Sequence, residues 1–120
     1  MNSAVSKVLD RIDRLRQAGE DFCVVTVLRT AAATSAKAGA KAIVTRDGDV
    51  HGFIGGGCVQ GAVRRVGLEV LEQGDPRLIR VKPKEDVIET VDVDGVELHK
   101  SACPSGGTVD LFFEPMRQAP

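Results

Sequence analysis

The feature that most constrains the fold is a run of three glycines and a cysteine, Gly55-Gly56-Gly57-Cys58, set between the apolar run Val50-His51-Gly52-Phe53-Ile54 and an amphipathic stretch from Val59. Ala62, Val63, Val66, Val70 and Leu71 recur in that stretch at helical spacing, with Gly74 as a stop and Asp75-Pro76 beyond it. The run is therefore a strand-to-helix corner. Its glycines let the backbone turn sharply and approach a ligand closely. A thiol beside the first free N–H groups of a helix sits in a mildly positive field, which favours anions and the thiolate. Inside the helix, Gly61 and Gly67 each cost about 1 kcal/mol relative to alanine, which predicts close packing against a sheet at those positions.

The other elements follow from periodicity. Val5, Val8, Leu9, Ile12 and Leu15 mark one helical face over residues 3–18, with Ser3 to cap it and Gly19 to end it. Asp10 and Arg14 are spaced as an i,i+4 pair, and Lys7, Arg11 and Arg16 are expected on a solvated face. Phe22 to Arg29 reads as a central strand with Cys23 buried inside it. The segment Thr30 to Lys41, rich in small residues, is a surface loop, with Thr30, Thr34, Ser35, Lys37 and Lys41 available to an anion. Ala42–Thr45 and Val50–Ile54 form a hairpin around Asp47-Gly48 that delivers the chain to the glycine corner. Arg77–Val81 is a strand, and a hairpin is expected around Asp94-Gly95. A second glycine corner, Ser101 to Gly107, carries Cys103 and precedes the strand Thr108–Glu114, which Pro115 is expected to end. The expected fold is α/β: a single compact domain over residues 1–120 with its folded core at about 3–115. It has a mixed β-sheet of about five to seven strands, an N-terminal helix and a second helix after the GGGC corner.

Composition narrows the function. Sixteen basic residues against 17 acidic ones, interspersed, with four phenylalanines and neither tryptophan nor tyrosine, offer no groove for nucleic acid. No apolar run reaches the roughly 18 residues of a membrane span, and the N-terminus has no secretory core, so a cytoplasmic protein is expected. Cysteines at 23, 58 and 103 are odd in number and lack CxxC spacing, which fits a reducing compartment and neither a disulfide framework nor a structural zinc site.

The corner resembles nucleotide motifs only superficially. Gln60 occupies the last glycine of a GxGxxG, and Ala62-Val63 stand where a Walker A motif needs lysine and a hydroxyl. What remains is an oxyanion nest with a thiol that can be a soft ligand, a nucleophile or a packed residue. A nucleophile needs a base, and only His51 and His99 are available. Two corners that each bear a cysteine either flank one cleft or are separate tight turns.

Taken together, Thr26-Val-Leu-Arg29-Thr30, Gly39-Ala40-Lys41, Gly55-Gly-Gly-Cys58-Val59 and the Gly106-Gly107 strand ending in Glu114-Pro115 resemble the XdhC/CoxI family of maturation proteins for molybdenum hydroxylases. The resemblance implies a carrier of the molybdenum cofactor (molybdopterin) rather than an enzyme: a chaperone that protects the cofactor, assists its sulfuration with a cysteine desulfurase and inserts it into an apo-enzyme of the xanthine dehydrogenase or carbon monoxide dehydrogenase type. It implies that Gly55, Gly56, Gly57 and Cys58 hold the cofactor, that Arg29, Thr30 and Lys41 line the same cleft, and that Cys103, Gly106 and Gly107 contribute from the second corner. The chain departs from the family pattern at Thr34-Ser35-Ala36-Lys37, where Ser-Ser-Pro-Arg is common, at Gln60 in place of glutamate, and at Cys103-Pro-Ser-Gly-Gly107, two residues longer than the usual Cys-Gly-Gly. It resembles the short form without a Rossmann-type domain, for which a separate partner or a homodimer is expected. The alternatives are a thiol-dependent transferase or hydrolase using Cys58, and a docking subunit that holds no cofactor.

Overall fold

In the computed structural model, residues 3–31, 37–52, 54, 57–83, 87, 89–101 and 107–117 are described, with Ser3, Ala4, Val5, Gly57 and Cys58 as backbone only. The first helix, α1, spans Ser3–Gln17. Val8 is buried, and with Ile12 and Leu15 it packs on Phe22, Val24 and Ile43. Leu9, expected on the same face, is 48% exposed. One residue step turns the helix by about 100°, which carries Leu9 off a stripe this narrow. At the end of α1 Gly19 takes φ +72, the Gly19 N–H donates to Arg16 O and the Glu20 N–H donates to Leu15 O at 3.0 Å. That is the six-to-one closure of a glycine C-cap.

Five strands and a second helix complete the first part of the sheet and its cover: β1 (Phe22–Ala31), β2 (Lys41–Thr45), β3 (Val50–Gly52), α2 (Gly57–Gln73), β4 (Arg77–Lys82) and β5 (Glu97–Lys100), followed by the last strand β6 (Thr108–Met116). The sheet order is β3-β2-β1-β6-β4-β5. All neighbours are antiparallel except β4 and β5, so the sheet is mixed and the expected α/β class holds. Alternation divides its faces. Cys23, Val25, Val27, Ala42, Val44, Ile79, Val81, Val109, Leu111 and Phe113 meet Val59, Ala62, Val63, Val66, Val70 and Leu71 of α2 in the main core. Each fully buried valine or leucine there contributes about 1.5–3 kcal/mol. Phe22, Val24 and Ile43 face the other way, under α1. Helix α1 packs chiefly on β2 and β3.

Of the two helical glycines, only Gly67 touches the sheet: a Cβ there would lie 2.7 Å from Val44 Cγ2, whereas one at Gly61 would meet nothing within 4 Å. Strand β3 is shorter than the expected Val50–Ile54, because Ile54 leaves the ladder to join the core beneath α2. The turn at Asp94-Gly95 is present, with Gly95 N–H donating to Asp92 O at 2.9 Å and Asp92 N–H to Val96 O at 2.8 Å. The strand that leaves it is β5, which pairs in parallel with β4, while the hairpin arm is a single bridge, Val91 to Glu97. Pro115 lies within β6, opposite Cys23, and does not end it. Beyond Phe113 no strand pairs with β6 on the β4 side among the described residues, since β4 begins opposite that residue, and a proline nitrogen on that side forfeits no ladder bond.

Candidate functional site

The topology collects the sequence-derived candidates at one end of the sheet. There β1 finishes at Ala31, β2 begins at Lys41, β3 finishes at Gly52, β4 and β5 finish at Lys82 and Lys100, and β6 begins at Thr108. Gly57 and Cys58 are the first two residues of α2, so their backbone N–H groups belong to the turn that has no partner within the helix. The segment carrying Cys103 connects Lys100 to Thr108, both at this end. Both glycine corners are thus attached to the same end of the fold. Gly55, Gly56, Cys103 and Gly106, with the side chain of Cys58, lie outside the described residues. Gly107 is described and directly precedes β6.

The remaining candidates divide between the two faces. Lys41 Nζ donates to Thr26 Oγ1 at 2.9 Å across the β1–β2 ladder. The β1–β6 register carries a bulge between Val27 and Arg29, after which Arg29 pairs with Asp110 and Thr30 with Val109. Val109 faces α2, so Thr30 stands on the α2 side, while Arg29 and Lys41 stand on the α1 side. Arg29 Nε lies 3.5 Å from Asp110 Oδ2, yet its side chain is 71% exposed. Its terminal guanidinium nitrogens have no hydrogen-bond partner among the described residues and face solvent.

Beside Arg29 lies a charged cluster that sequence reasoning missed. Arg80 on β4, only 7% exposed, is directly opposite Asp110 on β6. Its Nε and Nη2 donate to the two Asp110 carboxylate oxygens at 2.7 and 3.0 Å. Nη1 donates to Asp92 at 2.8 Å and lies 2.8 Å from Asp94, so the turn at 92–95 is fastened down on the α1 side of the sheet. The bonds to Asp110 and then Asp92 raise the Arg80 pKa. Chiefly the Arg80 hydrogen bond lowers the Asp92 carboxyl to about 2. The signal was present as a polar residue at alternate positions of two core strands, but only their pairing reveals the contact.

The two histidines stand on opposite faces of the sheet. His51 pairs with Ile43 and so faces α1. His99 receives Arg65 Nη2 at Nδ1, 3.1 Å away. An arginine can only donate, so the neutral ring carries its proton on Nε2, which sits 3.4 Å from Glu97 Oε1 without a hydrogen bond. Cys23 is fully buried in β1, and desolvation pushes its thiol up to about 12, which makes it packing. Open clefts of about 640 and 570 Å³ lie away from this end's charged cluster, between α1 and the β2–β3 hairpin.

The described residues form a mixed α/β domain with two helices, and the start of α2, Arg29 and Lys41 stand at one end of its sheet. The model of the XdhC and CoxI family matches residues 15–82, more than half of the 120, and the chain belongs to that family. It is similar in fold to a Bacillus halodurans crystal structure described as a xanthine dehydrogenase, at a TM-score of 0.64 and 20% identity. The likeness covers 88% of this chain and 29% of that one, so the chain spans less than a third of its structural neighbour. No curated protein matches it in sequence. Among the described residues no helix is long and apolar enough to cross a membrane.

Proposed function

We propose that the protein is a molybdenum-cofactor chaperone serving a molybdenum hydroxylase of the xanthine dehydrogenase or carbon monoxide dehydrogenase type. The observation that carries the reading is the XdhC and CoxI family match, which runs from the end of α1 through β4 and includes the glycine corner. The fold likeness to the structure described as a xanthine dehydrogenase supports the association with such an enzyme. The donor set fits an anionic, phosphate-bearing pterin: amides without an intrahelical partner at the start of α2, a lysine held by Thr26, and an arginine whose guanidinium tip faces solvent. In this reading Gly55, Gly56, Gly57 and Cys58 hold the cofactor from the α2 side together with Thr30. Arg29 and Lys41 reach its charged groups from the α1 side, and Cys103, Gly106 and Gly107 close the second corner. The cofactor supplies the oxygen-transfer centre of the client enzyme, and a cysteine desulfurase is the partner for its sulfuration.

The protein's own work is to bind, orient and shield. A turnover role for Cys58 has less support, since His51 faces α1 and His99 is engaged by Arg65. The test is to purify the protein from a cofactor-producing host, denature it, oxidise the released pterin and measure its fluorescence beside a Cys58→Ala control. Pterin in the parent and its loss in the variant are expected. Equal pterin in both removes the role of Cys58. Absence of pterin from a protein that co-purifies with the hydroxylase replaces the carrier with a docking subunit.

A further inference from the structure

Strand β3 is the edge of the sheet and only three residues long, with β2 on one side and no strand on the other among the described residues. An edge of this kind is a template for an added strand. Its open side borders a cleft of about 570 Å³ whose other wall is α1 and whose lining includes apolar Val8 and Val50.

The wall is strongly cationic. Lys7, Arg11 and Arg14 follow one another at i, i+4 and i+7, which stacks them in one row on the helix, and all three line the cleft with His51. All are exposed, and none makes an ion pair with a described residue. Asp10 also lines the cleft, and the i,i+4 pair expected with Arg14 is not found among the described residues. By contrast Arg46, Arg77 and Arg80 all hold carboxylates. Toward the hairpin the sign reverses. The cleft of about 640 Å³ shares Arg11 and His51 with the first and is lined further on by Asp47 and Asp49.

We infer that the groove between α1 and β3 docks an extended segment of a partner protein, added as a strand along Val50–Gly52. Its acidic side chains lie against Lys7, Arg11 and Arg14, and a basic one lies at the Asp47–Asp49 end. A free phosphate would satisfy the cations but would leave the strand edge, the apolar lining and the acidic end without a role. The edge and the charge row are independent observations, and a segment of about five residues spans both, at roughly 3.3 Å per residue. The inference does not depend on the cofactor reading, because the groove uses none of the residues assigned to the cofactor.

The test is an NMR titration of the full chain, labelled with ¹⁵N, using the capped peptide Glu-Val-Glu-Val-Lys as probe. Shifts concentrated at Val50–Gly52 and along Lys7–Arg14 are expected. The triple reversal Lys7→Glu/Arg11→Glu/Arg14→Glu should weaken binding at least tenfold. A backbone N-methylated peptide of the same charge should also bind at least tenfold more weakly, and Cys58→Ala should bind as the parent does. Should the triple variant fail to fold, Arg11→Gln/Arg14→Gln reads the same effect at smaller size. Shifts scattered over the chain, equal binding by the N-methylated peptide, or displacement by inorganic pyrophosphate at equal affinity would each overturn strand docking. The last of these would leave a simple anion site in its place.

Discussion

Replacing Gly67 with alanine tests how closely α2 lies on the sheet. The added Cβ would stand 2.7 Å from Val44 Cγ2, 2.8 Å from Val44 Cβ and 3.0 Å from Val44 Cγ1. Ordinary carbon contacts lie near 3.5–4.0 Å, so relief requires a displacement of about 1 Å. Val44 cannot supply it, being fully buried, β-branched and stiff at χ1. The helix must lift, and such overpacking costs about 1–3 kcal/mol. Against this, alanine gains about 1 kcal/mol over glycine in a helix interior. Gly61→Ala makes the same gain with nothing within 4 Å of the new methyl. Subtracting one variant from the other cancels the propensity and leaves the contact, about 1–3 kcal/mol. Urea unfolding followed by far-UV circular dichroism, with m-values compared, measures it. The expected order is Gly61→Ala above the parent and Gly67→Ala below Gly61→Ala by that margin. If Gly67→Ala is as stable as Gly61→Ala, the close helix–sheet contact is refuted.

Arg80→Met should destabilise the domain by about 1–3 kcal/mol, because it strips both hydrogen bonds from the buried Asp110 carboxylate and leaves only the exposed Arg29 beside it. The same urea experiment reads this, and a loss under 1 kcal/mol would show that the cluster is solvated rather than buried. Cys23 should resist iodoacetamide in the native protein and react fully in urea, as judged by peptide mass spectrometry, since its thiol is both fully buried and raised to about 12. Labelling at the free-thiol rate would place β1 at an edge rather than inside the sheet.

Much of the fold was legible because the information is local. The run from Phe22, the repeat through Val59–Leu71 and the Asp-Gly turn each carry their own period or turn chemistry, and β1, α2 and the β2–β3 hairpin follow. Strand β5 was not legible. Its four residues have no pattern of their own and are held by parallel pairing with β4, a contact that only the assembled sheet supplies. Arg80 and Asp110 were hidden for the same reason: thirty positions apart, each reads alone as an outward polar residue, and the register makes them a pair.

The face that each candidate takes was obscure in the sequence. The family resemblance implied one cleft for Arg29, Thr30 and Lys41, and the strands bring these three to one end of the sheet. Which face each residue takes depends on one inserted residue. Cys23, Val25 and Val27 all face α2, so strict alternation would put Arg29 there too, beside the start of that helix. The bulge between Val27 and Arg29 shifts the register, sending Arg29 to Asp110 and Thr30 to the α2 side beside Val109. No residue type at this position announces such a bulge. Its consequence is chemical: a hydroxyl, rather than a guanidinium, faces the side where α2 begins. The cation instead stands with the Arg80 cluster, where Asp110 orients it from beneath.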